Sequence, residues 1–129
     1  MINIEKHART AGAYVLYGGY FLFMVGHGKN HGKNELGVVR FGGHREKNET
    51  LMQCAAREVK EEASLDVAFY NSEAAYFYRE DTDMYRRIRL NEAPSPVLAI
   101  RWMGGVLSVM YLAYGMGELK PACPSYIRA

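Results

Sequence analysis

The sequence predicts an α/β (α+β) fold, a mixed β-sheet carrying one amphipathic helix on one face. Three observations lead there. Short runs rich in Tyr, Phe, Val and Leu are separated by Gly-Gly pairs and by a Pro-containing loop. A single stretch, from Thr50 onward, combines helix-start chemistry with a helical apolar stripe. The chain has 129 residues, 49% hydrophobic and 23% charged, which suits one domain with a real core across residues 1–129.

The elements follow in order. Ala13 to Tyr17 and Tyr20 to Val25 are strands flanking Gly18-Gly19, a two-residue hairpin turn. Next comes a tandem tetrapeptide, His27-Gly28-Lys29-Asn30 and His31-Gly32-Lys33-Asn34. Gly and Asn at this density mark a hairpin loop, so His27 and His31 are not a helical metal pair. A lid over an anionic substrate is the other reading of that loop. Val38 to Phe41 is a short strand that runs into Gly42-Gly43.

Thr50-Leu51-Met52-Gln53 has the form of a capping box, with Gln53 reaching back to the Thr50 N-cap. In the helix that follows, Leu51, Ala55 and Val59 form a stripe for packing on a sheet, while Glu58 and Glu62 lie on another face. Cys54 is a small residue near the packed side, and nothing in its neighbourhood argues for a reactive thiol. Strands are then expected at Asp66 to Tyr70, Ala74 to Arg79 and Tyr85 to Leu90. A loop from Asn91 to Pro96 leads to a strand from Val97 to Trp102, and Gly104-Gly105 turns it into Val106 to Tyr114. Pro121 and Pro124 argue against a terminal helix.

A formal charge of +2 does not announce nucleic-acid or membrane binding, and no DNA partner is expected. The first ten residues lack the apolar core of a signal peptide. The longest apolar-looking stretch, Ala11 to Val25, is broken by glycines and is shorter than the roughly 20 residues of a spanning helix. Cys54 and Cys123 form neither a CxxC motif nor a Cys/His cluster, so a reducing compartment suits them. A cytoplasmic protein is expected.

Glu58, Glu61 and Glu62 crowd one turn of the helix. Like charges so placed repel by a few tenths of a kcal/mol per pair. Either Arg57 and Lys60 offset them on a solvated face, or the carboxylates face a cation. The surrounding residues favour the cation. Gly43, Glu49, Arg57, Glu58, Val59, Glu61, Glu62 and Leu65 fall at the spacing of the Nudix box, G-x5-E-x7-R-E-U-x-E-E-x-G-U with U aliphatic. Eight of its nine specified positions agree, and Ser64 replaces the last Gly. Over these 23 residues the chain resembles the Nudix hydrolases. Glu46 fits a frequent preference within the same loop.

The resemblance implies hydrolysis of a nucleoside diphosphate derivative by attack of water on phosphorus, with Mg2+ as the cofactor and Mn2+ as a substitute. It implies metal ligation by Glu58, Glu61, Glu62 and the Gly43 carbonyl, with Glu61 and Glu62 catalytic. Arg57 would pair with Glu49 and hold the loop; the plainer reading of that pair is a surface salt bridge. Three departures stand out. Phe41 occupies a site where Pro is common, Asn48 one where Gly is common, and Ser64 the place of the helix-ending Gly, in a left-handed conformation that a Cβ disfavours by roughly 1–2 kcal/mol. Nudix domains usually close with a second helix on the opposite sheet face, and the segment LKPACPSYIRA does not look like one. Either a partner subunit covers that face, as in a homodimer, or the chain lacks part of the usual domain.

Tyr78, Arg79 and Arg87 in the stretch YFYREDTDMYRRIR are candidates for base stacking and phosphate contact, as is His44 beside Gly43. Strand alternation alone would also produce that stretch, with aromatics in the core and arginines outside, and His44 could equally fill the loop. Two rival functions remain: a catalytically weak Nudix module that senses a nucleotide, and RNA decapping, which favours a more basic surface.

Overall fold

The computed structural model describes residues 3–27, 36–91 and 93–120. Helix α2 (Leu51–Ala63) begins as the sequence indicates: Gln53 N donates to Thr50 Oγ1 at 3.1 Å, and Thr50 N donates to Gln53 Oε1 at 2.9 Å. It ends at Ser64 with φ 63° and ψ 19°, the left-handed conformation expected there. Asn48 adopts the same region, with φ 64°.

The main sheet grows around β1 (Thr10–Tyr17), which pairs in parallel with β10 (Leu107–Met116). On its other edge β1 takes two antiparallel partners end to end, β2 (Tyr20–Leu22) and β5 (Phe41–His44). Gly18 and Gly19, at φ 58° and 85°, make the β1–β2 turn that twisted hairpins prefer. Beyond β10 follow β9 (Leu98–Arg101), β7 (Ala75–Arg79) and β8 (Met84–Ile88), while β6 (Asp66–Phe69) pairs with the last residues of β10. A separate two-stranded arm joins β3 (Met24–His27) to β4 (Leu36–Val39).

Alternation gives this sheet two unlike faces. Ala11, Val109, Tyr111, Ala75, Phe77 and Ala99 share a buried cluster with Leu51, Cys54 and Ala55 of α2. Ala13, Val15 and Ala113 share a second with Val59 and Ala63. The small β1 side chains let the helix lie close. On the opposite face stand Tyr14, Leu112, Tyr76, Tyr78 and Tyr85, with Tyr76 50% and Tyr85 70% exposed.

Three local expectations needed revision. A four-residue helix α1 (Ile4–His7) precedes β1, capped by Asn3 Oδ1 and anchored by the fully buried Ile4. The strand expected over Tyr20 to Val25 breaks at Phe23, and that over Val38 to Phe41 breaks at Arg40. At both points the chain passes between the main sheet and the arm, and Phe23 and Arg40 belong to the register of neither. The repeat beyond His27, together with Pro121 and Pro124, lies outside the described residues, so the expected lack of a second helix over 121–129 does too.

Candidate active site

The site forms where β5 meets α2. Arg57, on the second turn of the helix, draws the preceding loop around itself. Its Nε donates to Glu49 Oε2 at 2.6 Å and its Nη2 to Glu49 Oε1 at 3.1 Å, a two-point fork. Nη2 also donates to the His44 carbonyl at 3.0 Å. Nη1 reaches Glu58 Oε1 at 3.0 Å and Glu61 Oε1 at 3.3 Å, and Glu46 lies 3.1 Å from Nε. The hydrogen bond from Arg57 holds the Glu49 carboxyl down at about 2 against burial, with the Glu46 backbone N–H helping. The same bond raises the pKa of Arg57.

Two glycines bring the glutamates onto the strand. A Cβ on Gly43 would overlap the Glu58 carboxylate, so only glycine leaves room for that side chain over β5. Gly42 N donates to Glu62 Oε1 at 3.1 Å. Burial pushes the Glu62 carboxyl up to about 7; Glu58 and Glu61 add to the rise, while the Gly42 N–H and Arg40 oppose it. Behind β5, a Cβ on Gly12 would run into the Phe41 carbonyl, so a third glycine lets β1 and β5 approach. Cys54 lies wholly buried with Sγ 3.6 Å from the Gly43 oxygen, and burial raises its thiol to about 11, the inert character expected of it.

Among the described residues, no three His, Cys, Asp or Glu side chains already converge as a metal cage. Glu58 and Glu61 lean on Arg57, and Glu62 on the Gly42 N–H. The donor chemistry nonetheless fits a hard divalent cation. Mg2+ takes one or two carboxylates and completes its shell with water and phosphate oxygens. The space kept over Gly43 for a carboxylate, and a second acid one turn along the helix, supply that much.

The sequence candidates divide sharply. Glu49, Arg57, Glu58, Glu61, Glu62, Gly43 and His44 come together, with His44 exposed at the end of β5. Tyr78, Arg79 and Arg87 do not join them. They lie on β7 and β8, and β7 stands four strand steps from β5, roughly 19 Å at ordinary spacing. Arg79 pairs with Asp81 at 2.8 Å on the helix side of the sheet. Tyr78 and Arg87 project from the other side, where the Tyr78 hydroxyl donates to Asp83 at 2.7 Å, a bond that raises its pKa. Pattern reading missed two arginines. Arg45 ties the loop to α1 through Glu5 at 3.0 Å and the Glu49 carbonyl at 2.8 Å. Arg40 lies against Gly42. Neither stands at a specified position of the box, so spacing carried no signal for them.

A mixed sheet with a glutamate-bearing helix docked through paired glycines defines a Nudix-type domain. The family model for the NUDIX domain matches residues 6–104, more than three quarters of the chain, and the chain belongs to that family. Its fold is similar to that of a NUDIX-family hydrolase from Clostridium perfringens, with a TM-score of 0.59 and 22% identity, covering 89% of this chain and 72% of that one. A NUDIX hydrolase from Nitrosomonas europaea gives 0.52 and 16% identity over 89% of this chain, which spans about half (52%) of that protein. No curated protein sequence gives a significant match. Family membership supports a pyrophosphohydrolase-type activity, and the family generally uses divalent metal ions. Among the described residues, no helix is long and apolar enough to cross a membrane.

Proposed function

We propose that the protein is a Mg2+-dependent pyrophosphohydrolase, with Mn2+ able to substitute, that splits a nucleoside diphosphate derivative into a nucleoside monophosphate and a phosphorylated remainder. The observation that carries this reading is the Glu58 carboxylate seated over Gly43, with Glu62 one turn away on the Gly42 N–H. Glu58, Glu62, Glu61 and the Gly43 carbonyl are the oxygen donors for the cation. When bound, the cation neutralises pyrophosphate charge and lowers the pKa of a water. Arg57 and Glu49 lock the loop so that the Gly43 backbone stays in place. Glu61, with its side chain 57% exposed, completes the cluster or polarises the attacking water.

This reading describes a cytoplasmic enzyme comprising one domain, acting on a small nucleotide with neither DNA nor membrane as partner. The tyrosine-bearing sheet face suits a homodimer contact; a monomeric mass by light scattering across a wide concentration range would refute that part. The central test is a release assay on a panel of nucleoside diphosphate derivatives with Mg2+ or Mn2+. Metal-dependent appearance of nucleoside monophosphate supports the proposal. Binding without turnover across the panel would favour the sensing module instead.

A further inference from the structure

We infer that Arg40 is a further substrate-binding residue, a guanidinium that takes non-bridging phosphate oxygens beside Glu62. The inference rests on the pyrophosphate reading of the site. Arg40, Arg45 and Arg57 flank β5 on its own strand–loop–helix segment, and the last two are already committed. Arg57 spends Nε, Nη1 and Nη2 on Glu49, Glu58, Glu61 and the His44 carbonyl. Arg45 donates from Nε to the Glu49 carbonyl at 2.8 Å, from Nη1 to the Glu5 and Ala8 carbonyls, and from Nη2 to the Glu5 carboxylate. Neither has a fork left for a ligand.

Arg40 differs. It is the single residue between β4 and β5, half-buried, with Nη1 only 3.0 Å from where a Cβ on Gly42 would stand. Gly42 N is the donor that holds Glu62 Oε1 at 3.1 Å. The guanidinium therefore lies over the same backbone that fixes a proposed metal ligand. Among the described residues it forms no ion pair, and Glu62 takes the Gly42 N–H instead of closing on it. A planar cation beside acids that hold a divalent ion matches a phosphate chain, whose oxygens can face the metal on one side and a bidentate donor on the other. A Cβ at 42 would strike the β1 backbone at Gly12 and Ala11 first and would crowd the Arg40 guanidinium as well.

Calorimetry on the full chain, with inorganic pyrophosphate as the probe in Mg2+ and with Mg2+ alone, tests this. Wild type should bind pyrophosphate when Mg2+ is present. Arg40→Ala should weaken pyrophosphate binding tenfold or more while Mg2+ alone binds as tightly or more tightly, because a neighbouring positive charge is gone. Arg40→Lys should retain part of the affinity. If Arg40→Ala fails to fold, Arg40→Gln carries the same measurement. Unchanged pyrophosphate affinity in the variant overturns the inference. Parallel loss of Mg2+ and pyrophosphate affinity also overturns it, since Arg40 would then be a prop for Glu62. A wild type that binds no pyrophosphate refutes the pyrophosphate reading itself, and the inference with it.

Discussion

The two edges of the main sheet carry similar residues and put them to different use. At the β5 edge, Arg57 is 24% exposed and holds four carboxylates within 3.3 Å. At the β7–β8 edge, Arg79 and Asp81 are 50% and 46% exposed and, among the described residues, form ion pairs only with each other. The first arrangement ties a loop, a strand and a helix together. The second links neighbours within one turn, and an exposed pair of that kind contributes under about 1 kcal/mol. Arginine and acid content is therefore a poor guide to a site. What separates the edges is whether the charges bridge distant parts of the chain.

Breaking the glutamate cluster should have the largest effect. Glu62→Gln and Glu58→Gln each remove a charge and keep shape. Metal-free stability should hold or rise in Glu62→Gln as repulsion is relieved, whereas Glu58→Gln also gives up an ion pair with Arg57 and should hold or fall slightly. Pyrophosphate cleavage should fall by orders of magnitude as the site loses its hold on transition-state charge. Arg87→Ala, on the far edge, should change kcat/KM by less than about threefold, since no contact there approaches the glutamates. Steady-state kinetics and thermal melts with and without Mg2+ check all three. Full activity in both glutamate variants would return these residues to the role of surface charges, and a large loss in Arg87→Ala would bring the far edge into the site.

Removing the hubs compares the edges in stability. Arg57→Gln strands Glu49 with 12% exposure among other acids, and should cost about 2 kcal/mol or more, as for a lost charged hydrogen bond. Arg79→Ala should cost under about 1 kcal/mol. Urea denaturation at constant m-value measures both. Equal costs would mean that the Arg57 network is only a set of surface pairs.

The legible parts of this fold were the local ones. The capping box, the left-handed Ser64 and Asn48, the Gly18-Gly19 hairpin and the spacing of Glu58 and Glu62 on the helix depend on residues close in sequence or at fixed helical spacing. Gly43 was linked to the glutamates only through the family resemblance. Sheet order depends on no such spacing. Thr10 pairs with Ser108, and no pattern in either segment names the other. Alternation in YFYREDTDMYRRIR implied aromatics in the core and arginines outside; that fits Phe77, but Tyr76 and Tyr85 are exposed and Tyr76 shares its face with Arg87. It could not reveal that the hairpin lies four (β7) and five (β8) strand steps from β5. Helix α1 is too short to show a period. Arg40 was concealed because a run of strand-forming residues masks the point where the chain changes sheets.

Proton linkage separates the site's two anchored acids. Glu49 falls from an ordinary 4.5 to about 2 on folding, so its stabilisation is complete above 4.5 and is lost as pH drops toward 2. Glu62 rises from 4.5 to about 7, so the folded state binds its proton more tightly than the unfolded state does. Metal-free stability should therefore decline as pH climbs from about 4.5 to 7. Melts of wild type and Glu62→Gln across pH 3 to 8 in chelator test the pair. The decline should vanish in Glu62→Gln while the acid limb remains. A decline that persists unchanged would mean that Glu62 is not the titrating group.

The smallest effect should come from the far end of the same helix, where Ser64 stands in place of the usual box glycine. A serine at φ 63° sacrifices roughly 1–2 kcal/mol that glycine would not. Glycine also enlarges the unfolded ensemble, which takes back about 0.4–1 kcal/mol. A further term opposes the change: Ser64 Oγ donates to the Lys120 carbonyl at 3.1 Å, an exposed hydrogen bond with a net value of about 0.5 kcal/mol. At the middle of these ranges Ser64→Gly should raise stability by about 0.3 kcal/mol, with limits of about −0.5 and +1.1 kcal/mol. Ser64→Ala keeps the strained backbone and removes the hydroxyl, so it should be the least stable of the three. Denaturation midpoints in urea decide the order Gly, Ser, Ala. If alanine proves equal to serine, the hydroxyl contact contributes nothing, and Ser64 is tolerated only because the box needs a turn at this position and no ligand from it.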